Sequence, residues 1–322
     1  MNRFVILGLV VLALVGLWTG AWFWAAGAAT SYVQSLETAD GVSTPRLSCD
    51  QFAITGFPFG FDATCTGATI VSLDTTVTVA GLKASVLVYN PFHVLAFAQS
   101  PVTMDDAVTG SRSRLDFADA EASARLSGWR IGRVSLVVNA PVWNDTILED
   151  RLIADADRFE LHLVDDPDRH DAKAGLASLA EYVTVEGLSA PLQKIVNAKA
   201  TLQGEISNLP DDVRVYGDPD LIRRWQAAGG RFNLVSIDAA DGTDFYRSSG
   251  TLGLDSQGRV EGQVKITSRG VVERLDPMIP ANAKGLLLGG QAADGSYSQT
   301  INFAAGVVLS GLVPVGFIPP VW

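Results

Sequence analysis

Cysteine, histidine and basic residues are all scarce in this chain. Two cysteines and three histidines in 322 residues leave little material for metal or redox chemistry. Without paired histidines two cysteines cannot close a zinc site, and Cys49 and Cys65 lie too far apart for a Cys-x-x-Cys redox motif. Lys and Arg total 24 against 35 Asp and Glu, for a net charge of −11. Nucleic acid is thereby excluded, because it needs clustered cations to replace phosphate counterions, and so is a polybasic membrane-surface patch. No nucleophile elbow, Walker loop, dinucleotide fingerprint or HExxH motif occurs, so no catalytic residue, cofactor or metal is expected and the chain reads as non-enzymatic. What is abundant is apolar material, 48% of residues against 18% charged, enough for a sizeable core.

The longest apolar run is N-terminal. From Phe4 to Ala29 the only polar side chain is Thr19, and about 20 apolar residues suffice to span a bilayer. Trp18, Trp22 and Trp24 crowd its far end, where indoles favour the lipid–water interface. Arg3 is the only charge before Glu37, so the positive-inside tendency keeps the N-terminus cytoplasmic and exports the rest. The rival reading is a signal peptide with a cleavage site at Ala26–Ala28. The run is longer than a signal core, and bulky indoles precede the supposed site, which favours an uncleaved anchor.

Both cysteines flank "CDQFAITGFPFGFDATC". The two arms alternate as strands and Gly56-Phe57-Pro58-Phe59-Gly60 supplies the turn. A hairpin centred near Phe57 places Cys49 and Cys65 opposite one another, at disulfide distance. An exported compartment would let the bond persist. Two free buried thiols are the alternative. Phe57, Phe59 and Phe61 alternate through the turn and line an apolar surface, either for a ligand or simply packed under the hairpin tip.

Downstream, short Val-, Thr- and Ile-rich runs broken by Gly, Pro, Asn and Asp predict antiparallel strands to about Asp168. Helical spacing predicts helices over 172–185 (Leu176, Leu179, Ala180 and Val183 on one face) and 218–228, the second with Asp218 as N-cap, plus a helical stretch over 271–279. Strands are expected at 231–238, 246–254 and 259–267, and a strand, a Gly turn and a short apolar strand near the C-terminus. Several segments, "TIVSL", "SVLVY" and "VSLVV" among them, carry apolar residues at consecutive positions and so predict sheets apolar on both faces. The domain organisation read from this is an anchor or uncleaved signal (1–29), a juxtamembrane segment (30–45), a β-rich part (46–168) and an α+β part (169–322). The last boundary is soft enough to allow one continuous domain.

Cys49, Gly56-Phe57-Pro58-Phe59 and Cys65, together with "YNPFHVLAFAQSP" and "VVLSGLVPVGFIPP", resemble the DUF2125 proteins, a family of alphaproteobacterial envelope proteins. Where that family often has a basic residue after Pro-Phe, this chain has Gly60. More distantly, "GGRFNLVSIDA…GTLGLDSQGRVEGQVKIT" is similar to the strand–turn–strand units of AsmA-like and TamB-like proteins. That resemblance implies a sheet curled into an apolar groove that handles lipids. His93 lies in an apolar setting and His162 on a strand. His170 stands near Asp165, Asp166, Asp168 and Asp171, without EF-hand spacing.

The fold class expected is therefore α+β, predominantly antiparallel β, with a curled or groove-forming sheet, a few covering helices and one N-terminal transmembrane helix. The expected function is binding or passing an apolar ligand, a lipid, in envelope maintenance. The alternative is a structural or interaction scaffold without a small ligand. The expected setting is the bacterial inner membrane, single-pass, with the bulk of the chain periplasmic. Partners would be that membrane through the N-terminal helix, lipid, and other envelope proteins.

Overall fold

In a computed structural model of the chain, residues 2–270 and 289–322 are described. The fold is α+β and predominantly antiparallel β, with a long apolar helix at the N-terminus. The chain forms two compact units. The first comprises Met1–Glu121 with Asn144–Arg151, the second Ala122–Trp143 with Leu152–Trp322. The stretch Asp168–Lys173, where composition suggested a division, lies inside the second unit.

Helix α1 (Asn2–Glu37) opens the first unit and runs on into the juxtamembrane segment. Strands β1 (Arg46–Ser48), β2 (Gln51–Thr55), β3 (Gly60–Ser72), β4 (Thr75–Leu87), β5 (Asn90–Asp106) and β6 (Arg112–Asp116) follow. They pair antiparallel, each with its chain neighbour, except that β1 and β2 both lie against β3. The expected disulfide is present, Cys49–Cys65, with Cα atoms 5.4 Å apart.

Its geometry differs from the simple opposed pair. Cys65 is directly opposite Phe52, not Cys49. Cys49 and Asp50 form a gap between β1 and β2, and opposite that gap Gly67 adopts φ +59°. In an unbroken strand, residues three apart point to opposite faces, yet Cys65 and Ala68 are both buried in one cluster with Val79. The left-handed turn at Gly67 reverses the alternation, and this lets Cys49 reach Cys65. A Cβ at Gly67 would also collide with the Asp50 carboxyl, so glycine is required there twice over.

The second unit holds β7 (Asp119–Ser127, from Ala122 onward), β8 (Arg130–Asn139), β9 (Val142–Asp145, its first two residues), β10 (Arg151–Asp155, from Leu152 onward) and β11 (Arg158–Asp165). It continues with β12 (Leu176–Ala190), β13 (Ile195–Pro210), α2 (Leu221–Ala227), β14 (Arg231–Asp241), β15 (Asp244–Leu254), β16 (Val260–Arg269), β17 (Gly290–Gln291), β18 (Tyr297–Ala304), β19 (Val307–Ser310) and β20 (Val313–Phe317). The three strands expected between 231 and 267 and the closing strand–turn–strand are all present. The expected helix over 218–228 forms as the shorter α2, with Asp220 rather than Asp218 at its N-cap position and no side-chain cap; Asp218 accepts from the Asp220 amide at 2.8 Å. The stretch expected to be helical at 271–279 lies outside the described residues.

The helix expected over 172–185 does not form: this stretch is β12, paired on one side with β11 and on the other with β13. Its i, i+3 apolar spacing coincides with an alternation of Leu179, Val183 and Val185 that a two-sided ladder satisfies. The β-branched Val183, Thr184 and Val185 also favour the pleated surface.

The second unit repeats the device around Gly67. Ala156 and Asp157 interrupt β10 and β11, and opposite them Gly187 adopts φ +66° with the Asp157 carboxyl where its Cβ would stand. In each unit the aspartate amide donates to the carbonyl of the residue before the glycine, Asp50 to Thr66 at 2.9 Å and Asp157 to Glu186 at 2.9 Å. The local sequences match as well, Cys49-Asp50-Gln51-Phe52-Ala53-Ile54 and Ala156-Asp157-Arg158-Phe159-Glu160-Leu161.

Gly67→Ala or Gly187→Ala should each lower unfolding free energy by about 1–3 kcal/mol, through left-handed strain plus displacement of the aspartate. Gly217→Ala, which meets open space, is the control; denaturant melts of the full chain in detergent would measure this, and equal stability of all three would refute the role assigned to the glycines. Replacing both cysteines with alanine should cost about 3 kcal/mol for a loop of this length. The same melts, run oxidised and reduced, would detect it.

Candidate functional site

Directly opposed residues in an antiparallel sheet share a face, so the registers identify what each face carries. In the second unit one row runs Leu136, Leu161, Val183, Leu202, Ile237 across β8, β11, β12, β13 and β14. The neighbouring row on the other face runs Val137, Glu160, Thr184, Thr201, Asp238 and on to Arg247, Thr267 and Ser298. Further rows keep the apolar side apolar, with Phe232 and Leu252, Leu234, and Val264 and Ile301. The first unit behaves alike. Phe52, Cys65, Leu82 and Ala98 form one apolar row, and beyond the Gly67 reversal Ala68, Val79, Val102 and Leu115 form another. Their opposite face carries Ser48, Thr69, Thr78, Thr103 and Arg114.

The expectation of sheets apolar on both faces is therefore corrected to one apolar face per unit. Consecutive apolar residues mark places where alternation reverses or a strand ends, as at Val86–Val88. The apolar faces are nonetheless only half-buried. Leu136, Leu161, Val183, Leu202 and Ile237 all keep part of their surface accessible, and no large side chain among the described residues is fully enclosed. Helix α2 has seven residues and fastens to the end of β13 through Trp225 Nε1, which donates to the Ser207 carbonyl at 2.7 Å. It is too short to cover the face.

Two polar features interrupt the second unit's apolar face. Glu181 stands on it, between Leu163 and Gly204 in register, and burial pushes its carboxyl above the ordinary range. At one end Arg130 reaches Asp165 at 3.1 Å and donates to His170 Nδ1 at 2.6 Å. Because a guanidinium only donates, His170 Nδ1 accepts, and its Nε2–H donates to Asp211 at 3.0 Å. Of the carboxylates expected near His170, Asp165 joins it through Arg130, whereas Asp166 accepts from the Asp168 amide and Asp171 from those of Lys173 and Ala174, in local turns. His162 is held by Ser135 and Glu160 on the polar face.

The GFPFG turn docks on α1. Trp22 is buried, donates its indole N–H to the Gly60 carbonyl at 2.9 Å and stacks on Phe61 at 5.1 Å. Phe57 packs edge-on to Trp22 and stacks on Phe23, while Phe59 stays 69% exposed. Of the three phenylalanines singled out from sequence, two thus join an aromatic knot with the helix and one faces outward. The indole contact was missed in the sequence; its signal was the Trp22-Phe23-Trp24 cluster at the end of the apolar run. Helix α1 is long and apolar enough to cross a membrane, with a mean hydropathy of 2.4 over its most apolar window, none of it buried.

The family model for DUF2125, described as an uncharacterized protein conserved in bacteria, matches residues 22–319. The chain belongs to the DUF2125 family. Its matched span begins at Trp22, the residue that fixes the helix to the hairpin. None of the curated proteins and none of the solved structures compared with the chain matches it. Within this DUF2125 chain the Gly60 carbonyl serves Trp22.

The raised Glu181 carboxyl gives a signed prediction. Its folded pKa exceeds the reference 4.5, so stability is fully present below that value and falls as pH rises through it toward the folded pKa. Glu181→Gln should therefore raise the melting temperature at pH 7 and leave it near wild type below pH 4; equal melting curves at both pH values would show that the carboxyl is solvated.

Proposed function

We propose that this DUF2125 protein is a membrane-anchored exported protein that holds the apolar part of a membrane lipid against its one-sided sheets, in maintenance of a bacterial envelope. It acts without catalysis. The observation that carries the reading is the apolar row of the second unit, continuous over five strands and half-buried, beside which the one helix of that unit among the described residues, α2, is too short to cover it. In water such a face favours association with apolar matter by about 25 cal/mol per Å² covered. An acyl chain matches it in length and chemistry, and the polar group at Arg130, Asp165 and His170 gives that face a hydrophilic end.

The anchor reading draws support from Trp22 and Ala26, which are buried against the first unit. Cleavage at Ala26–Ala28 would strip those contacts. The Cys49–Cys65 bond favours an oxidising compartment such as the periplasm, and Arg3 favours a cytoplasmic N-terminus.

The test is photocrosslinking of the full chain in vesicles of phosphatidylethanolamine and phosphatidylglycerol carrying a diazirine on the acyl chain. Adducts should map to Leu202 and Ile237 and be absent from Thr201 and Asp238. Leu202→Glu should abolish them while leaving circular dichroism unchanged. No adduct on the apolar face would overturn lipid carriage and favour a scaffold whose apolar faces meet other envelope proteins.

A further inference from the structure

We propose that the β2–β3 hairpin tip and the neighbouring β4–β5 turn form an aromatic wedge immersed in the lipid–water interface beside α1. The proposal rests on the anchor reading and extends it from the helix to the sheet. Trp18 Nε1 donates to the Pro58 carbonyl at 3.1 Å and Trp22 Nε1 to that of Gly60 at 2.9 Å. The tip is thus pinned at the height of these two indoles.

That height follows from helix geometry. At 1.5 Å per residue, Trp18 lies about 21 Å and Trp22 about 27 Å along the helix from Phe4. If the hydrocarbon begins at Phe4, after Arg3, its roughly 30 Å thickness ends just past Trp22. A hairpin bonded to both indoles cannot stay in bulk water while they sit in the membrane.

The chemistry of the tips agrees. Val88 donates its amide to the Phe59 carbonyl at 2.9 Å, which joins the two turns side by side. Together they expose Phe57 (46%), Phe59 (69%), Leu87 (46%), Tyr89 (77%) and Phe92 (41%). Neither 56–61 nor 84–94 contains Asp, Glu, Lys or Arg. Exposed large apolar groups clustered this way are uncommon on monomeric soluble surfaces and mark interaction sites, and aromatic rings of this kind populate the interfacial belt.

Backbone accounting favours lipid over a protein partner. Immersed backbone must satisfy its own polar groups. Here the Phe59 and Gly60 amides donate to the Gly56 carbonyl, and Pro58 has no N–H to satisfy. The carbonyls of Pro58, Phe59 and Gly60 accept from Trp18, Val88 and Trp22. The wedge would hold one end of the first unit's apolar face at the lipid surface, since Phe61, Ala63 and Cys65 continue from the tip along that face.

The experiment places a photoreactive benzoylphenylalanine singly at Phe59, Tyr89, Leu14 and Thr103 of the full chain, in vesicles of phosphatidylethanolamine and phosphatidylglycerol. Lipid adducts are expected at 59, 89 and 14, with loss of adduct at 103, on the polar face. Adducts at 14 but not at 59 or 89 overturn the wedge and leave the anchor standing; absence at all positions overturns both. Neither outcome depends on whether lipid reaches Leu202 in the second unit.

Discussion

A β-sheet settles its hydrogen bonds in its own plane and leaves each face to find its own environment. In this protein one face of each unit is mainly apolar, interrupted in the second unit by Glu181 and Arg130. Helix α2 is short, and α1 engages the first unit only near the hairpin tip and the first strands. Neighbours along and across the strands shield the apolar residues in part, and these stay half-buried. Every functional reading has to account for that face, and a hydrophobic guest accounts for it without further protein.

The alternation along the strands is interrupted at several positions, and one interruption in each unit uses the same device. Gly67 and Gly187 turn the chain left-handed, an aspartate occupies the space a side chain would take, and the in–out pattern reverses. In the first unit the reversal does a second job: it carries Cys49 and Cys65 to the same side, which a regular ladder with Cys65 opposite Phe52 would not. The second unit has Ala156 where the first has Cys49, so the turn stands without a covalent link there. The disulfide therefore reinforces a backbone feature that glycine and aspartate already create.

Much of this was legible in the sequence. Period-two runs marked nearly every strand, the Gly-Phe-Pro-Phe-Gly turn marked the hairpin, and the apolar run marked α1. Two things were not. The stretch 172–185 mimicked a helix because Leu176, Leu179, Ala180 and Val183 fit the helical period while Leu179 and Val183 fit a period of two as well, and only pairing with β11 and β13 decides between them. Apolar residues at consecutive positions were read as belonging to two greasy faces. They mark reversals and strand ends, and a left-handed glycine is invisible until the backbone is known. Of the candidate site, Phe57, Phe59 and Phe61 were visible as a cluster, but the packing of Phe57 and Phe61 on the helix, with Phe59 left outward, depends on Trp22, more than thirty residues earlier.

Trp22 links the two halves of the argument. An indole buried in a protein contact needs its N–H satisfied, and the Gly60 carbonyl provides this at the turn where a side chain larger than hydrogen would press on the Val86 carbonyl. The residue that fixes the hairpin also belongs to the apolar run of α1. Whatever membrane depth the helix adopts is therefore imposed on the hairpin, and through β2 and β3 on the sheet. Residues 38–45 tie α1 to the end of β3 through the Gly41 carbonyl, and the two indoles and a stacked ring clamp the helix a second time, at the hairpin tip.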